Sequence, residues 1–273
     1  MRIGIVAPST PFTRDDADRV IALAAARHPS ATLIFDEQCF VAHGHFAGGD
    51  AVRCAALVAM ANRDDIDAVW FARGGYGAGR IAADAVLAMG AAARTKTYLG
   101  YSDQGNILGA LYRAGFAHLA HGPMPADIRR DGGEAAVARA LDWLVTRDPA
   151  ALEGGLDDGV KYAAFNLTTL SMMIGTPVMP DLTDHVLIVE EVSEYLYAFD
   201  RAMGHVTTAL AGAGLAGLRL GRVSDVPEND RPFGMSAEDS ARDWCDRNAI
   251  AWLGRADIGH DADNKVVPFG LHR

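Results

Sequence analysis

Short apolar runs alternate with alanine-rich stretches of helical spacing through the first half of the chain, and that alternation limits the fold more than any other feature. Residues 3–7, 31–35 and 68–71 read as buried strands, and residues 15–27, 51–63 and 81–90 as amphipathic helices. A further strand leads into Gly100, helical spacing resumes after Asn106, and residues 116–120 form one more short strand. Strands joined through helices run parallel, because only a crossover of about a dozen residues or more brings the chain back in the same direction. The pattern through Leu144 therefore predicts a doubly wound parallel sheet. Sites in such sheets gather at the C-terminal ends of the strands.

Residues 148–159 break the composition with Gly, Asp and Pro. We read 148–163 as a linker between a domain of residues 1–147 and a second of residues 164–273. The second unit carries strands at 184–192 and 215–223 and helices at 198–211 and 237–249, the last capped by Ser236 with Asp239 three residues on. Of 273 residues, 50% are hydrophobic and 22% charged, which is material enough for two cores. A net charge of −10 argues against nucleic acid or an anionic membrane as the main partner. Cys39, Cys54 and Cys245 are scattered without metal spacing, which fits a reduced, cytoplasmic setting. The start lacks a signal-type apolar run, and nothing approaches the roughly 20 apolar residues of a membrane span. His43 and His45 share a loop with no third ligand near them in sequence, so neither a metal nor another cofactor is expected.

Two turns at strand ends carry the chemistry. The first is Arg73-Gly74-Gly75-Tyr76-Gly77-Ala78-Gly79. It is not a Walker A loop, because Arg80-Ile81 stands where Lys-Ser/Thr is needed, and its spacing misses G-x-G-x-x-G. What remains is a backbone N–H donor for an oxyanion, or a tight strand-to-helix turn. The second is Gly100-Tyr101-Ser102-Asp103-Gln104-Gly105. Gly100 permits a sharp bend beside the serine, and the first N–H groups of the following helix point toward it. This resembles a nucleophile elbow in which Gln104 replaces the second glycine of G-x-S-x-G. A helix-capping serine has the same signature. His121 ends the next strand at the same edge, either facing the crevice or structural.

Four segments in order resemble one family, the LD-carboxypeptidase or microcin-immunity serine peptidases. They are Arg73 to Gly77, Gly100-Tyr101-Ser102-Asp103, Glu190-Glu191-Val192 with Asp200-Arg201 downstream, and Gly259-His260; the opening Ile5-Val6-Ala7-Pro8-Ser9 fits as well. The resemblance implies an α/β protein with a Rossmann-like N-terminal domain and a smaller β-rich C-terminal domain, the site between them. It implies Ser102 as nucleophile, His260 as general base and Glu190 as the acid that orients it. The backbone N–H groups of Gly75 and Asp103 are assigned to the oxyanion, and Arg73, Gly74, Tyr76 and Tyr101 are the substrate-binding candidates. The chain departs from the family pattern at Ala164-Phe165-Asn166, Glu191 and Tyr195-Leu196. Strand alternation allows only one of Glu190 and Glu191 to face the crevice.

The implied activity is removal of the terminal D-alanine from murein tetrapeptides during cytoplasmic cell-wall recycling, by a protein that forms a homodimer. Hydrolysis of a peptide–nucleotide conjugate is the alternative and calls for an aromatic stacking residue beside the site; Trp252 is a weak candidate. A non-catalytic small-molecule binder on the same fold is the third reading.

Overall fold

The computed structural model describes residues 1–272. In the first half, β1 (Arg2–Val6), β2 (Thr32–Phe35), β3 (Ala68–Phe71), β4 (Thr97–Gly100) and β5 (Leu119–His121) alternate with α1 (Arg14–Arg27), α2 (Asp50–Asn62), α3 (Ala82–Leu87), α4 (Gly105–Arg113) and α5 (Gly133–Thr146). The strands pair in parallel in the order β5-β4-β3-β1-β2. The interior of the sheet is apolar because helices cover both faces, and β3 and β4 are buried along their whole length. The expected strand at 116–120 lies later, at Leu119–His121. Gly115 takes φ 81° and Phe116 N–H returns to the Leu111 carbonyl, so these residues close α4 instead of starting β5.

The second half repeats the scheme. β6 (Lys161–Asn166), α6 (Leu167–Met173), β7 (His185–Val192), α7 (Leu196–Ala209), β8 (Gly217–Ser224), α8 (Ala237–Arg247) and β9 (Trp252–Arg255) build a second parallel sheet. The smaller unit is thus as much a strand–helix alternation as the larger one. β6 begins inside the segment read as a linker.

Two short strands bind the sheets together. β10 (Val267–Pro268) lies antiparallel beside β5, with Val267 opposite His121. β11 (Gly270–Leu271) lies antiparallel beside β6, with Gly270 opposite Tyr162. Five residues therefore cross from one sheet edge to the other. Between the sheets α4 packs on α6 through glycine: a methyl on Gly109 would sit 2.2 Å from Met173 Cε. One apolar core runs from Phe71, Tyr98 and Leu108 through Phe165 to Leu187 and Phe199.

The connecting segment is anchored, not loose. Buried Glu153 accepts two N–H bonds from Arg219 on β8, at 2.8 and 2.9 Å, and further ones from the amides of Gly155 and Asp257. Removing one partner of a buried ion pair leaves the other charge uncompensated. Glu153→Ala is expected to lower the unfolding free energy by about 3 kcal/mol in urea titration; an unchanged midpoint would show that the pair does not tie the segment down.

Candidate active site

The serine turn is held in a conformation that an L-residue adopts only under constraint. β4 ends at Gly100, a single 3₁₀ turn covers Ser102–Gln104, and α4 follows at once. Ser102 has φ 60°. Non-glycine residues in the left-handed region carry strain that the surroundings must impose. Here the imposing groups are visible. A methyl on Gly100 would lie 2.7 Å from the Phe71 ring, and one on Gly74 would lie 2.8 Å from Ser102 Oγ. Only glycine at both positions lets the bend form and the glycine loop lie on top of it. Tyr101 occupies the N-cap position, and Ser102 Oγ bonds no helix amide among the described residues. The helix-capping reading therefore does not hold.

The side chains around the serine face inward and lock three loops together. Asp103 is buried and accepts from Ser9 Oγ and, at 2.9 Å, from Ala78 N–H. Burial raises its carboxyl pKa, and those hydrogen bonds oppose the rise. Gln104 donates to Ser9 Oγ at 2.7 Å and to the Arg73 carbonyl at 2.8 Å. The glutamine that replaces glycine in the motif thus clamps the glycine loop over the turn. Thr10 Oγ1 donates to the Gly74 carbonyl at 2.8 Å. Fully buried Arg53, on α2, donates to the carbonyls of Pro8, Gly48 and Gly77. Among the described residues the Gly75 N–H makes no backbone hydrogen bond, and the Asp103 N–H makes none outside its own turn.

β7 and the loop before β10 supply an acid and an imidazole. Glu190 is 0% exposed, and its Oε2 accepts from His260 Nδ1 at 2.6 Å. The other oxygen, Oε1, has no partner among the described residues. The ladder between β7 and β8 shifts register around Glu190, and a methyl on Gly221 of β8 would come 2.9 Å from Glu190 Cβ. Arg222 of β8 holds Asp257 and Asp261, which flank His260, and the Asn264 side chain accepts Gly259 N–H at 3.1 Å. Burial opposes a charged imidazole, but the Glu190 charge and hydrogen bond outweigh it, so His260 titrates above its ordinary value.

Glu191 points the other way. It accepts from Asn166 Nδ2 at 2.7 Å and from Thr168 N–H at 2.8 Å, while Asn166 Oδ1 accepts from Thr169 N–H at 3.0 Å. Two of the positions that depart from the family pattern therefore meet in one cluster that caps α6.

Ser102 sits between two cavities. The smaller, of about 240 Å³, is lined by Ser102, His260, Arg73, Gly74 and Tyr101 together with Asp127, Arg129 and Arg130. The larger, of about 550 Å³, has Ser102, Gly75, Tyr76, Asn106, Glu191 and Glu194 in its wall. Ser102 Oγ and the His260 ring face the smaller cavity with no hydrogen bond between them among the described residues. Catalytic hydrogen bonds are often long before substrate arrives. Tyr101 is buried; its ring lies 4.7 Å from the His260 ring and its hydroxyl donates to Asp127 at 2.7 Å. Tyr76 is 58% exposed at the rim of the larger cavity, beside His45 and Phe46. His121 is buried on the far side of Tyr101, with its pKa pushed down to about 3 by burial and by the charge of His260. Trp252 lies on β9 near Arg242 and lines neither cavity. Among the described residues no group of three or more metal-binding side chains is assembled.

Sequence reading missed Asp127, Arg129 and Arg130. They follow β5 at the C-terminal edge of the sheet, so the rule that placed Ser102 at a site applies to them as well.

The LD-carboxypeptidase N-terminal domain profile matches residues 3–122, and the LD-carboxypeptidase C-terminal domain profile matches residues 162–272. A putative carboxypeptidase of Streptomyces coelicolor is 30% identical over 99% of this chain and 88% of its own length. A murein tetrapeptide carboxypeptidase of Pseudomonas aeruginosa is 25% identical over 98% of this chain and 91% of its own. Among solved structures, the muramoyltetrapeptide carboxypeptidase from Oxalobacter formigenes aligns with a TM-score of 0.79 at 23% identity, over 99% of this chain and 95% of that one. The microcin C7 self-immunity protein MccF aligns at 0.78 with 16% identity, over 98% and 91%. Those two likenesses speak for the fold. With both halves matched in order and one relative 30% identical along nearly the whole chain, this protein belongs to the LD-carboxypeptidase family.

Proposed function

We propose that this protein is a serine carboxypeptidase that removes the terminal D-alanine from murein tetrapeptides in cytoplasmic cell-wall recycling. The observation that carries the proposal is the buried 2.6 Å bond from His260 Nδ1 to Glu190, with the His260 ring lining a cavity that a left-handed Ser102 also lines. A serine hydroxyl is a weak nucleophile and needs a base within reach. With Nδ1–H bound to Glu190, Nε2 is left to accept the Ser102 proton, and the carboxylate stabilises the imidazolium that results. The backbone N–H groups of Gly75 and Asp103 are the oxyanion donors in this scheme. Residues 1–147 supply the nucleophile and residues 164–273 the acid and base, with 148–163 between them. Full-length relatives named as carboxypeptidases support the substrate class. No described helix is long and apolar enough to cross a membrane.

Hydrolysis of a peptide–nucleotide conjugate is the second reading. The observation in its favour is the exposed Tyr76 ring at the mouth of the larger cavity. Turnover of a tetrapeptide against a conjugate separates the two. Turnover of neither, with measurable binding, favours a non-catalytic small-molecule binder.

Ser102→Ala and His260→Ala are each expected to lower alanine release by on the order of 10⁶-fold. The double variant should be no worse than the poorer single, because the groups act as a unit. Glu191→Gln should keep turnover and lower the melting temperature. Loss of turnover in a folded Glu191→Gln, with Glu190→Gln active, would reassign the acid.

The pH profile has a definite sign. His260 must be neutral to accept a proton, and its pKa is raised. Activity is therefore lost as pH falls through a midpoint above the ordinary imidazole value of about 6.5. Glu190→Gln removes the carboxylate and keeps the burial, so the midpoint should move down while kcat falls by about 10⁴-fold. A midpoint that stays put would show that Glu190 does not set the charge on His260.

A further inference from the structure

The smaller cavity beside Ser102 is unusual for a chain of net charge −10, because three arginines line it against one acid. Two of the three are paired. Arg130 donates to Asp127 at 2.9 Å, and Asp127 also accepts from Tyr101 Oη and from Met124 N–H at 2.8 Å, so this acid is engaged on both oxygens. Arg129 donates to Asp16 at 2.6 Å. Arg73 donates to the Pro11 carbonyl at 3.1 Å and meets no carboxylate among the described residues. It is partly buried, and its pKa is lowered first by burial and then by the like charge of Arg129. An arginine in that position binds an anion more strongly than one in water.

The larger cavity has the opposite character. Asp103, Glu191 and Glu194 line it, and its one arginine, Arg80, is paired with Asp50 at 2.7 Å. His260 belongs only to the smaller cavity. The group that protonates the leaving nitrogen therefore stands on the arginine side of Ser102.

We propose that the smaller cavity is the leaving-residue pocket, where Arg73 binds the free α-carboxylate of a single C-terminal amino acid while the acyl segment lies in the larger cavity. The assignment rests on the carboxypeptidase reading above. In the step it describes, Ser102 Oγ bonds to the scissile carbonyl carbon and its proton passes to His260 Nε2. The carbon–nitrogen bond then breaks, and the same proton goes to the departing amine, which leaves as a free amino acid held at Arg73. Water then attacks the ester carbon and gives a proton to His260; the bond to Ser102 Oγ breaks, His260 passes that proton to Oγ, and the shortened peptide leaves as its carboxylic acid. A cavity of about 240 Å³ lined by three arginines suits one small residue that ends in a carboxylate. The selection for exopeptidase cleavage thus comes from charge and size on the leaving side.

The test compares tetrapeptides ending in D-alanine and in D-alanine amide, on the wild-type protein, Arg73→Met and Arg73→Lys. Wild type should prefer the acid by about 100-fold in kcat/KM, the range of a charge-assisted hydrogen-bond pair. Arg73→Met should lose mainly the acid rate, so that the preference collapses toward parity, and Arg73→Lys should recover part of it. Equal loss on both peptides in Arg73→Met would overturn the carboxylate contact and leave Arg73 a structural role. Equal wild-type rates on acid and amide would overturn the pocket assignment while leaving the peptidase reading intact. Cleavage of neither peptide by wild type would overturn both.

Discussion

The structure depends on a carboxylate that has no access to water. Glu190 is fully buried, and among the described residues one of its oxygens is unpartnered and the other is bound only by His260. A buried charge in that state is costly unless it is neutralised in place. Burial opposes the imidazolium but the Glu190 charge favours it more, which is why His260 holds its proton to higher pH than a free histidine. The same pairing fixes the ring and frees Nε2 toward the cavity. In the proposed mechanism, stability at this point and reactivity at Ser102 are two consequences of one hydrogen bond.

The pair works only if two sheets are kept in register, since Ser102 rides on β4 and Glu190 on β7. The last residues of the chain do this. Val267 pairs with His121 on one sheet and Gly270 with Tyr162 on the other. Arg222, by holding Asp257 and Asp261, sets the loop that carries His260 just before that crossing. On the opposite side, Arg53, Ser9 and Gln104 bring three loops of the first sheet to bear on the strained serine. Strain at φ 60° persists because several independent contacts over-determine it.

Much of this was legible in the sequence, and for physical reasons. Buried parallel strands read as apolar runs, and amphipathic helices as spaced alanines, so the first sheet was visible, whereas the second was legible only as a β-rich unit with β7 and β8. Gly100 before Ser102 marked the bend, since a side chain there would strike Phe71. The choice between Glu190 and Glu191 was legible only as an either-or, because alternation says that the two diverge but not which faces the histidine. β10 and β11 could not be read, because two-residue strands have no periodicity and owe their existence to partners far away in sequence. Arg53 was equally hidden: on a helix it reads as a solvent-side cation, whereas here it is fully buried against three loop carbonyls. The arginine cavity was half legible. Arg73 stood out beside the glycine loop, but the pairing of Arg129 with Asp16 appears only when α1 and the loop after β5 meet, and Arg130 is engaged by Asp127 of its own turn.

The most direct measurement is covalent labelling by a serine-directed fluorophosphonate, located by peptide mass spectrometry with and without tetrapeptide. Such reagents react with a hydroxyl only where a neighbouring base activates it. The account predicts a single adduct on Ser102, blocked by tetrapeptide and slowed in His260→Ala. An adduct elsewhere, none at all, or labelling of Ser102 that the tetrapeptide leaves untouched would contradict it.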